Sequence, residues 1–257
     1  MKVVGHVPAK KILTSPRQTI ESLTSLGIGV ELQISSDILD TFTLKDFGNL
    51  KSLTGNALIT VHAPFLDLNP GAVDSYVLKA TRKRFQETLI AAKVLEAEVI
   101  VFHTGYHPAK IDPIFDEWFD RALETFKLIA AETDSKIALE NVFDTEPSIL
   151  KKFIDNLPKN VGVCIDVGHL NLFSKQSVSD WISTFRDRIY EFHVHDNRGV
   201  KDEHSFLGSG TVPLKELFEE VEKVKTDYIF NLENKTVEDV EKSLKFLKEG
   251  GFLWSEK

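Results

Sequence analysis

The sequence is poor in the features that would tie a protein to a membrane, a disulfide framework or a polyanion. Its 257 residues include one cysteine, so no intramolecular disulfide can form. No apolar run approaches the length of a membrane span, and the N-terminus has no cationic segment followed by a long apolar stretch. A formal net charge of -8 provides no general attraction to nucleic acid or an anionic membrane. We therefore expect a cytoplasmic protein without membrane attachment.

Glycine-rich binding motifs and internal boundaries are also missing. No Gly-rich dinucleotide fingerprint follows the first apolar run, which disfavours an open nucleotide-binding sheet. No linker, low-complexity stretch or charge block divides the chain, and its length is typical of one large domain. Residues 1–257 are therefore predicted to form a single domain.

Short apolar runs alternate with longer amphipathic segments along the whole chain. Strict alternation of eight strands with eight helices predicts a parallel sheet with crossover helices, an α/β fold. At this length a closed (β/α)8 barrel fits better than an open doubly wound sheet. The predicted strands are 3–7, 29–34, 57–62, 99–104, 137–141, 161–166, 190–195 and 228–233. The predicted helices are 16–26, 44–53, 74–95, 113–132, 146–156, 178–185, 213–224 and 237–248.

Metal-capable side chains recur where the apolar runs end. Runs such as ITVH, VIVFH and KIALE finish in His or Glu, which is typical of a buried strand whose tip reaches the mouth of a barrel. Ionisable groups crowded at one mouth need a compensating charge, and a divalent metal ion supplies it. Imidazole together with carboxylate suits Zn²⁺, Mn²⁺ or Co²⁺ better than Ca²⁺. The nine candidate ligands are His62, His103, Glu140, Asp166, His169, His193, Asp202, His204 and Glu233.

Glu140 and Glu233 form the most informative pair in this set. They end the fifth and eighth predicted strands, so they approach the mouth from different sides. Two carboxylates on one metal could flank a bound substrate, one removing a proton and the other returning it. The alternative is that both glutamates act only as ligands.

Other polar residues near the mouth could have either a functional or a structural role. Glu31, inside the run GVELQI, could contact substrate or simply be paired. Arg198, in HDNRG, could bind a substrate hydroxyl, carboxylate or phosphate, or be a solvated loop residue. His195 could support the ligands, but a core histidine is the favoured interpretation, and His6 is interpreted as structural.

Together these motifs resemble the xylose isomerase-like TIM barrels, a superfamily that includes endonuclease IV and many sugar isomerases and epimerases. The resemblance runs from MKVVGHV to NLENK, nearly the whole chain. On its endonuclease side it implies a trinuclear zinc site, and every position of that pattern is filled. The three implied ligand sets are His62, His103 and Glu140; then Glu140, Asp166, His193 and Glu233; then His169, Asp202 and His204.

The sugar-enzyme side of the superfamily implies only the second ligand set. There, Glu140 and Glu233 would be the catalytic acid and base, and residues such as His169 and Arg198 would touch the sugar. A carboxylate such as Glu31, in GVELQISSD, is typical of these enzymes.

Departures from the endonuclease pattern favour the sugar enzymes. The endonucleases have Cys before the histidine at the end of strand six, where this chain has DVGH. They have Asn-Asp, a small residue and Lys after strand seven, where this chain has HDNRG. Phe65-Leu66 resembles the aromatic–Leu pair with which the endonucleases probe a duplex, but HAPF also occurs in isomerase-like members.

The resemblance therefore implies a metal-dependent isomerase or epimerase of a small sugar, sugar phosphate or related polyol. One glutamate would remove a carbon-bound proton to give a metal-stabilised enediolate, and a proton would be redelivered elsewhere. One to three divalent ions per chain are implied, with zinc or manganese ahead of magnesium or cobalt. The alternative is an AP endonuclease-like phosphodiesterase with a trinuclear zinc site and DNA as its partner. A dehydratase that uses the same site is a third possibility. The non-enzymatic alternative is a metal-dependent binding protein or a barrel that has lost activity.

Overall fold

A computed structural model describes residues 2–110 and 114–252 of the chain. Eight parallel strands pair in sequence order, and β1 pairs with β8, so the sheet closes into a barrel. The predicted (β/α)8 architecture is confirmed, and each predicted strand lies within two residues of an observed one. The strands are β1 (Lys2–Val7), β2 (Gly29–Gln33), β3 (Ile59–His62), β4 (Val99–His103), β5 (Lys136–Glu140), β6 (Val161–Asp166), β7 (Ile189–Val194) and β8 (Ile229–Leu232).

The described residues contain eleven helices rather than the eight predicted. The three additional helices are short and directly follow β1, β2 and β6, where two turns or fewer leave too little periodicity to recognise in sequence. The predicted helix start at Pro113 lies outside the described residues. The helices are α1 (Ala9–Thr14), α2 (Pro16–Ser25), α3 (Ser36–Thr41), α4 (Leu44–Thr54), α5 (Ser75–Leu95), α6 (Ile114–Ala131), α7 (Ser148–Ile154), α8 (Val167–Phe173), α9 (Val178–Phe185), α10 (Leu214–Val221) and α11 (Val237–Glu249).

Side chains along each strand alternate between two separate apolar clusters. On β4, Ile100 and Phe102 belong to the large cluster between barrel and helices, whereas Val99 and Val101 belong to a small cluster inside the barrel. This is the period of two expected of a strand. The next inward position after Val101 is His103, at the C-terminal end of the strand. The last inward position of a strand is therefore where a side chain can reach the mouth.

The long segment between β7 and α10 is folded around one buried carboxylate. Asp196 Oδ2 accepts hydrogen bonds from the backbone N–H groups of Gly208 at 3.0 Å and Gly210 at 2.8 Å, and Oδ1 accepts one from Val212 at 3.1 Å. An antiparallel bridge joins Asp196 to Ser205. These bonds hold the segment across the mouth of the barrel.

None of the helices in the described ranges is both long and apolar enough to cross a membrane.

Candidate metal centre

The nine candidate ligands converge on one cavity at the C-terminal end of the barrel. The cavity has a volume of about 450 Å³, within the usual range for small-molecule sites. Seven of the nine line it, and the other two, Asp166 and His193, are fully buried beneath it. The candidate ligands in the lining are His62, His103, Glu140, His169, Asp202, His204 and Glu233.

The first implied ligand set is assembled around Glu140. Its Oε2 lies 3.1 Å from His62 Nε2 and 3.2 Å from His103 Nε2. Phe65 stacks on the His103 ring with centroids 4.3 Å apart, which limits the rotation of that ring. One metal ion between the three residues would be reached by both imidazoles and the carboxylate.

The second set faces a single nitrogen of His193. Its Nδ1 lies 3.4 Å from Glu233 Oε2, 3.7 Å from Glu140 Oε2 and 3.9 Å from Asp166 Oδ2. His193 Nδ1 and Glu233 Oε2 are buried and have no hydrogen-bond partner among the residues that the structure describes. A divalent ion would satisfy both atoms.

The third set lies under the long segment after β7. Asp202 Oδ2 is 2.9 Å from His204 Nε2 and 3.5 Å from His169 Nε2, and His204 Nδ1 is 3.6 Å from Glu233 Oε2. His204 has a φ of 51°, a left-handed conformation that is uncommon for histidine. His169 is placed by Asp166, which ends β6 and accepts a hydrogen bond from the His169 backbone N–H at 2.7 Å.

The histidines have the hydrogen-bond pattern of metal ligands. A ligating histidine donates its other ring N–H to a carboxylate or carbonyl, which fixes the tautomer and the ring orientation. Four of the candidate histidines do so, and the residues therefore fit a divalent ion. The pairs are His62 Nδ1 with Ala63 O at 2.9 Å, His169 Nδ1 with Asn141 O at 3.0 Å, His204 Nδ1 with Glu233 O at 2.9 Å, and His193 Nε2 with Glu31 Oε2 at 3.2 Å.

In the absence of a metal ion, the negative charges of the buried carboxylates in the site are balanced by protonated histidines beside them. Burial lowers the pKa of His204, but the charge of Glu233 and the hydrogen bond to Asp202 outweigh it and raise that pKa to about 9. Burial likewise opposes ionisation of Glu140, yet the surrounding histidines, His103 first, hold its pKa well below the usual value. A metal ion would have to displace these histidine protons.

Two candidate substrate-binding residues lie away from the cavity lining. Glu31 has no exposed surface and is bonded to His6, Asn231 and His193 below the cavity. Burial raises the pKa of Glu31, but the charge and hydrogen bond of His193 and the bond from His6 lower it to about 2. Arg198 is exposed on the segment after β7. His169, the third candidate, does line the cavity.

Several residues of the site were given no functional role by the sequence. His6, Gln33, Asn234 and Lys235 line the cavity beside the candidate ligands. The period of two along β1 predicts that His6 faces inward near the mouth, because it is two positions beyond the inward-facing Val4. Gln33 is likewise the last residue of β2, but its neutral amide does not stand out as an ionisable tip does.

His195 is close to the ligands but differs from them in its hydrogen bonds. Its Nε2 lies 3.2 Å from Asp166 Oδ2, and its buried Nδ1 has no partner within the described part of the chain. The ring fills the space beside Gly168, where a Cβ would come within 2.0 Å of His195 Cε1. This arrangement fits a histidine that donates to Asp166 and so orients a ligand.

Comparison with known proteins gives the same picture of the fold. The family model described as xylose isomerase-like TIM barrel matches residues 29–250. An uncharacterized protein of Methanocaldococcus jannaschii is 32% identical over 204 residues, covering 74% of this chain and 69% of that protein. A probable endonuclease 4 of Mycobacterium tuberculosis is 28% identical over 170 residues, covering 60% of this chain and 64% of that protein.

Two solved structures are similar along nearly their whole length. A D-tagatose 3-epimerase-like protein is 27% identical, with a TM-score of 0.82 and coverage of 97% of this chain and 96% of that one. A protein of Thermus thermophilus, from crystals soaked with ZnCl2, is 23% identical, with a TM-score of 0.81 and full coverage of both chains.

Proposed function

The chain belongs to the xylose isomerase-like TIM barrel family, and from that premise we propose that it is a divalent-metal-dependent sugar epimerase or isomerase. The observation that carries this proposal is the placement of Glu140 and Glu233. Glu140 ends β5 and Glu233 directly follows β8, and both face His193 Nδ1 beneath the cavity, at 3.7 and 3.4 Å. Two carboxylates on different sides of one point suit removal of a proton and its return.

In the proposed reaction Glu140, Asp166, His193 and Glu233 would hold a divalent ion, which would supply Lewis-acid polarisation of the substrate carbonyl. One glutamate then takes the proton from the carbon beside the substrate carbonyl. The other glutamate, or the same one, returns a proton to complete epimerisation or isomerisation.

The walls of the cavity fit a small polar molecule with an apolar face. Phe65, Phe143 and Phe173 line it and limit the access of water to the reacting carbon. His6, Gln33 and Lys235 line it as well and offer hydrogen bonds to hydroxyl groups or to a phosphate. Among the described residues, Lys235 is the single lysine or arginine in this lining, whereas binding to a DNA backbone generally uses several cations.

A second candidate function is phosphodiester cleavage at abasic DNA. It is favoured by the third ligand set, because Asp202, His204 and His169 lie together although a single-metal epimerase would not use them all as ligands. Two or three ions about 3.5–4 Å apart are the usual arrangement for such hydrolysis.

The deciding experiment combines elemental analysis of the unchelated protein with proton exchange. Sugars and sugar phosphates are incubated with the protein in D₂O, and deuterium at the carbon beside the carbonyl is followed by NMR. We expect Glu140→Gln and Glu233→Gln to lower exchange by about 10²–10⁴-fold. Asp202→Asn, an isosteric change at the third set, is the matched control and should retain most of the exchange.

The opposite pattern would support the second candidate. It consists of two or three zinc ions per chain, no exchange on any sugar, and cleavage of abasic DNA that weakens steeply with salt and is lost in all three variants.

A further inference from the structure

Glu31 connects four strands through a buried set of hydrogen bonds beneath the cavity. Its Oε1 accepts from His6 Nδ1 at 2.8 Å and from Asn231 Nδ2 at 2.7 Å. Its Oε2 accepts from His193 Nε2 at 3.2 Å. Both carboxylate oxygens are therefore used, and Glu31 itself is not part of the lining of the cavity that would hold a substrate.

The bond between Glu31 and His193 crosses the inside of the barrel. Glu31 lies opposite His6 in the register of β2 with β1, and Asn231 lies opposite His193 in the register of β8 with β7. The strands β2 and β7 are not neighbours, because β1 and β8 separate them. A long carboxylate side chain is needed to span that gap, and His6 and Asn231 hold it in place.

The nitrogen that Glu31 engages, His193 Nε2, is not the one that faces the carboxylates of the second ligand set. His193 Nδ1 faces Glu140, Asp166 and Glu233, so its Nε2 must carry the proton when Nδ1 offers its lone pair. Without an acceptor at Nε2, nothing in the arrangement of the ring would favour this tautomer over the other.

We propose that Glu31 is a positioning residue of the metal centre: by accepting the His193 Nε2–H bond it fixes the tautomer and rotation that aim Nδ1 at the ligand carboxylates. The inference rests on the metal site of the proposed function and is independent of the sugar reaction. It replaces substrate contact, the role that the sequence suggested for Glu31, with a role behind the metal site.

A purely structural role is the competing explanation, and Glu191 provides the matched control. Glu191 is also fully buried inside the barrel, lies two residues before His193, and has an oxygen 3.9 Å from the same Nε2. That oxygen accepts its hydrogen bond from the Thr60 hydroxyl instead, at 3.2 Å. A change that merely disturbs the barrel interior would act through either glutamate.

The first test is zinc affinity, measured by competition with a chromophoric chelator. We expect Glu31→Leu, which removes the acceptor, to weaken zinc binding by about 10–100-fold, the usual effect of losing such a partner. Glu31→Gln keeps one carbonyl acceptor and should lose less, and Glu191→Gln should stay within about twofold of the parent protein. Unchanged affinity in Glu31→Leu, or an equal loss in Glu191→Gln, would overturn the proposal.

The second test needs no variant and so does not depend on folding of Glu31→Leu. In ¹⁵N NMR spectra of the zinc-loaded protein, we expect the His193 ring proton on Nε2 and the metal on Nδ1. A proton on Nδ1 instead would overturn the assignment. Both tests are made without sugar, so failure of the proposed reaction would leave them unaffected.

Discussion

The inward-facing side chains at the two ends of the barrel are equally buried and chemically opposite. Near the N-terminal ends of the strands, Val4 and Ala138 are fully buried in an apolar cluster. Near the C-terminal ends, Glu140, Asp166 and His193 are also at most 1% exposed. Burial alone therefore does not distinguish packing from chemistry in this barrel. A residue that only packs is distinguished from a candidate catalytic residue by its polar atoms. In the candidate site, some of these atoms face one another without a hydrogen bond.

Between the two ends lies a layer in which buried polar groups support those above. It contains Glu31, which accepts a hydrogen bond from His193, and Asn231, which donates one to Glu31. It also contains Glu191, which accepts a hydrogen bond from Thr60 and forms none with His193. The pKa values of the two glutamates are shifted in opposite directions: His193 and His6 lower that of Glu31, whereas burial and the charge of Glu31 raise that of Glu191 well above its usual value. The carboxylate of Glu31 is thus tied to a candidate ligand, whereas ionisation of Glu191 is disfavoured.

The largest effect is expected from placing a charge in the small apolar cluster that contains Val4 and Ala138. Ala138→Asp, two residues below Glu140 on β5, introduces a carboxylate with no built partner. We expect the free energy of unfolding to fall by about 3–5 kcal/mol at pH 7, as for an uncompensated buried charge. Urea denaturation of the metal-free protein measures it, and the loss should shrink at pH 4, where the new carboxyl group is largely protonated. Equal losses at both pH values would mean that size, not charge, is responsible.

Removing apolar volume from the same layer should affect stability without affecting the metal site. Ile229→Ala, in the small cluster inside the barrel, is expected to lower the free energy of unfolding by about 2–5 kcal/mol. Zinc affinity should stay within about twofold of the parent, because the Ile229 side chain takes no part in the hydrogen bonds that orient the ligands. Denaturation and zinc titration of one preparation test both statements, and a large fall in affinity would contradict the separation of the layers.

The stability contributed by the C-terminal end of the barrel should depend on pH, because that end carries titratable side chains and the apolar N-terminal end does not. The pKa of His204 is raised to about 9 in the folded protein, against about 6.5 in an unfolded chain. Its stabilising contribution is therefore complete below about pH 6.5 and is lost as pH rises through 9. We expect the melting temperature of metal-free protein to fall between pH 7 and 9.5. With zinc bound, the melting temperature should fall less over this range, since the metal replaces the histidine protons. Parallel plots of melting temperature against pH for the metal-free and zinc-bound protein would refute this.

The smallest predicted effect concerns a carboxylate just outside the ligand set. Burial raises the pKa of Asp144 to about 7, and its Oδ1 has no hydrogen-bond partner in the described ranges. Protonated Asp144 therefore contributes to the stability of the folded protein. This contribution is fully present below the pKa of the unfolded chain, near 3.9, and is lost as pH rises through about 7. Asp144→Asn should raise the free energy of unfolding by about 1 kcal/mol at pH 8 and by less at pH 5. Calorimetry at the two pH values checks this, and a destabilised variant at pH 8 would contradict it.

The strands and the positions of the candidate ligands could be predicted from the sequence because both depend on local rules. Apolar runs with a period of two define strands, and a His, Asp or Glu at the end of such a run is placed at the mouth by topology. That reasoning predicted that Glu140 of β5 and His193 of β7 lie close together at the mouth, and His193 Nδ1 is 3.7 Å from Glu140 Oε2, with His193 buried just beneath the cavity.

The supporting contacts could not be predicted, because they depend on which side chains meet across the barrel. Glu31 looks like a mouth residue in sequence, and only the closed sheet shows that it reaches His193 from the far side. The sequence predicts only a structural role for His6, although the residue donates a hydrogen bond to Glu31 and lines the cavity. The short helices α1, α3 and α8 were missed because six or seven residues carry little periodicity.

The contact between Gly168 and His195 also restricts how this sequence can change over time. The imidazole occupies the volume that any side chain at position 168 would need, with the nearest ring atom 2.0 Å from the Cβ site. A lineage could therefore acquire histidine at 195 only on a background that already carried glycine at 168. Loss of the histidine would in turn free position 168 to drift. Among descendants of a common ancestor, the two positions should thus be inherited as a pair.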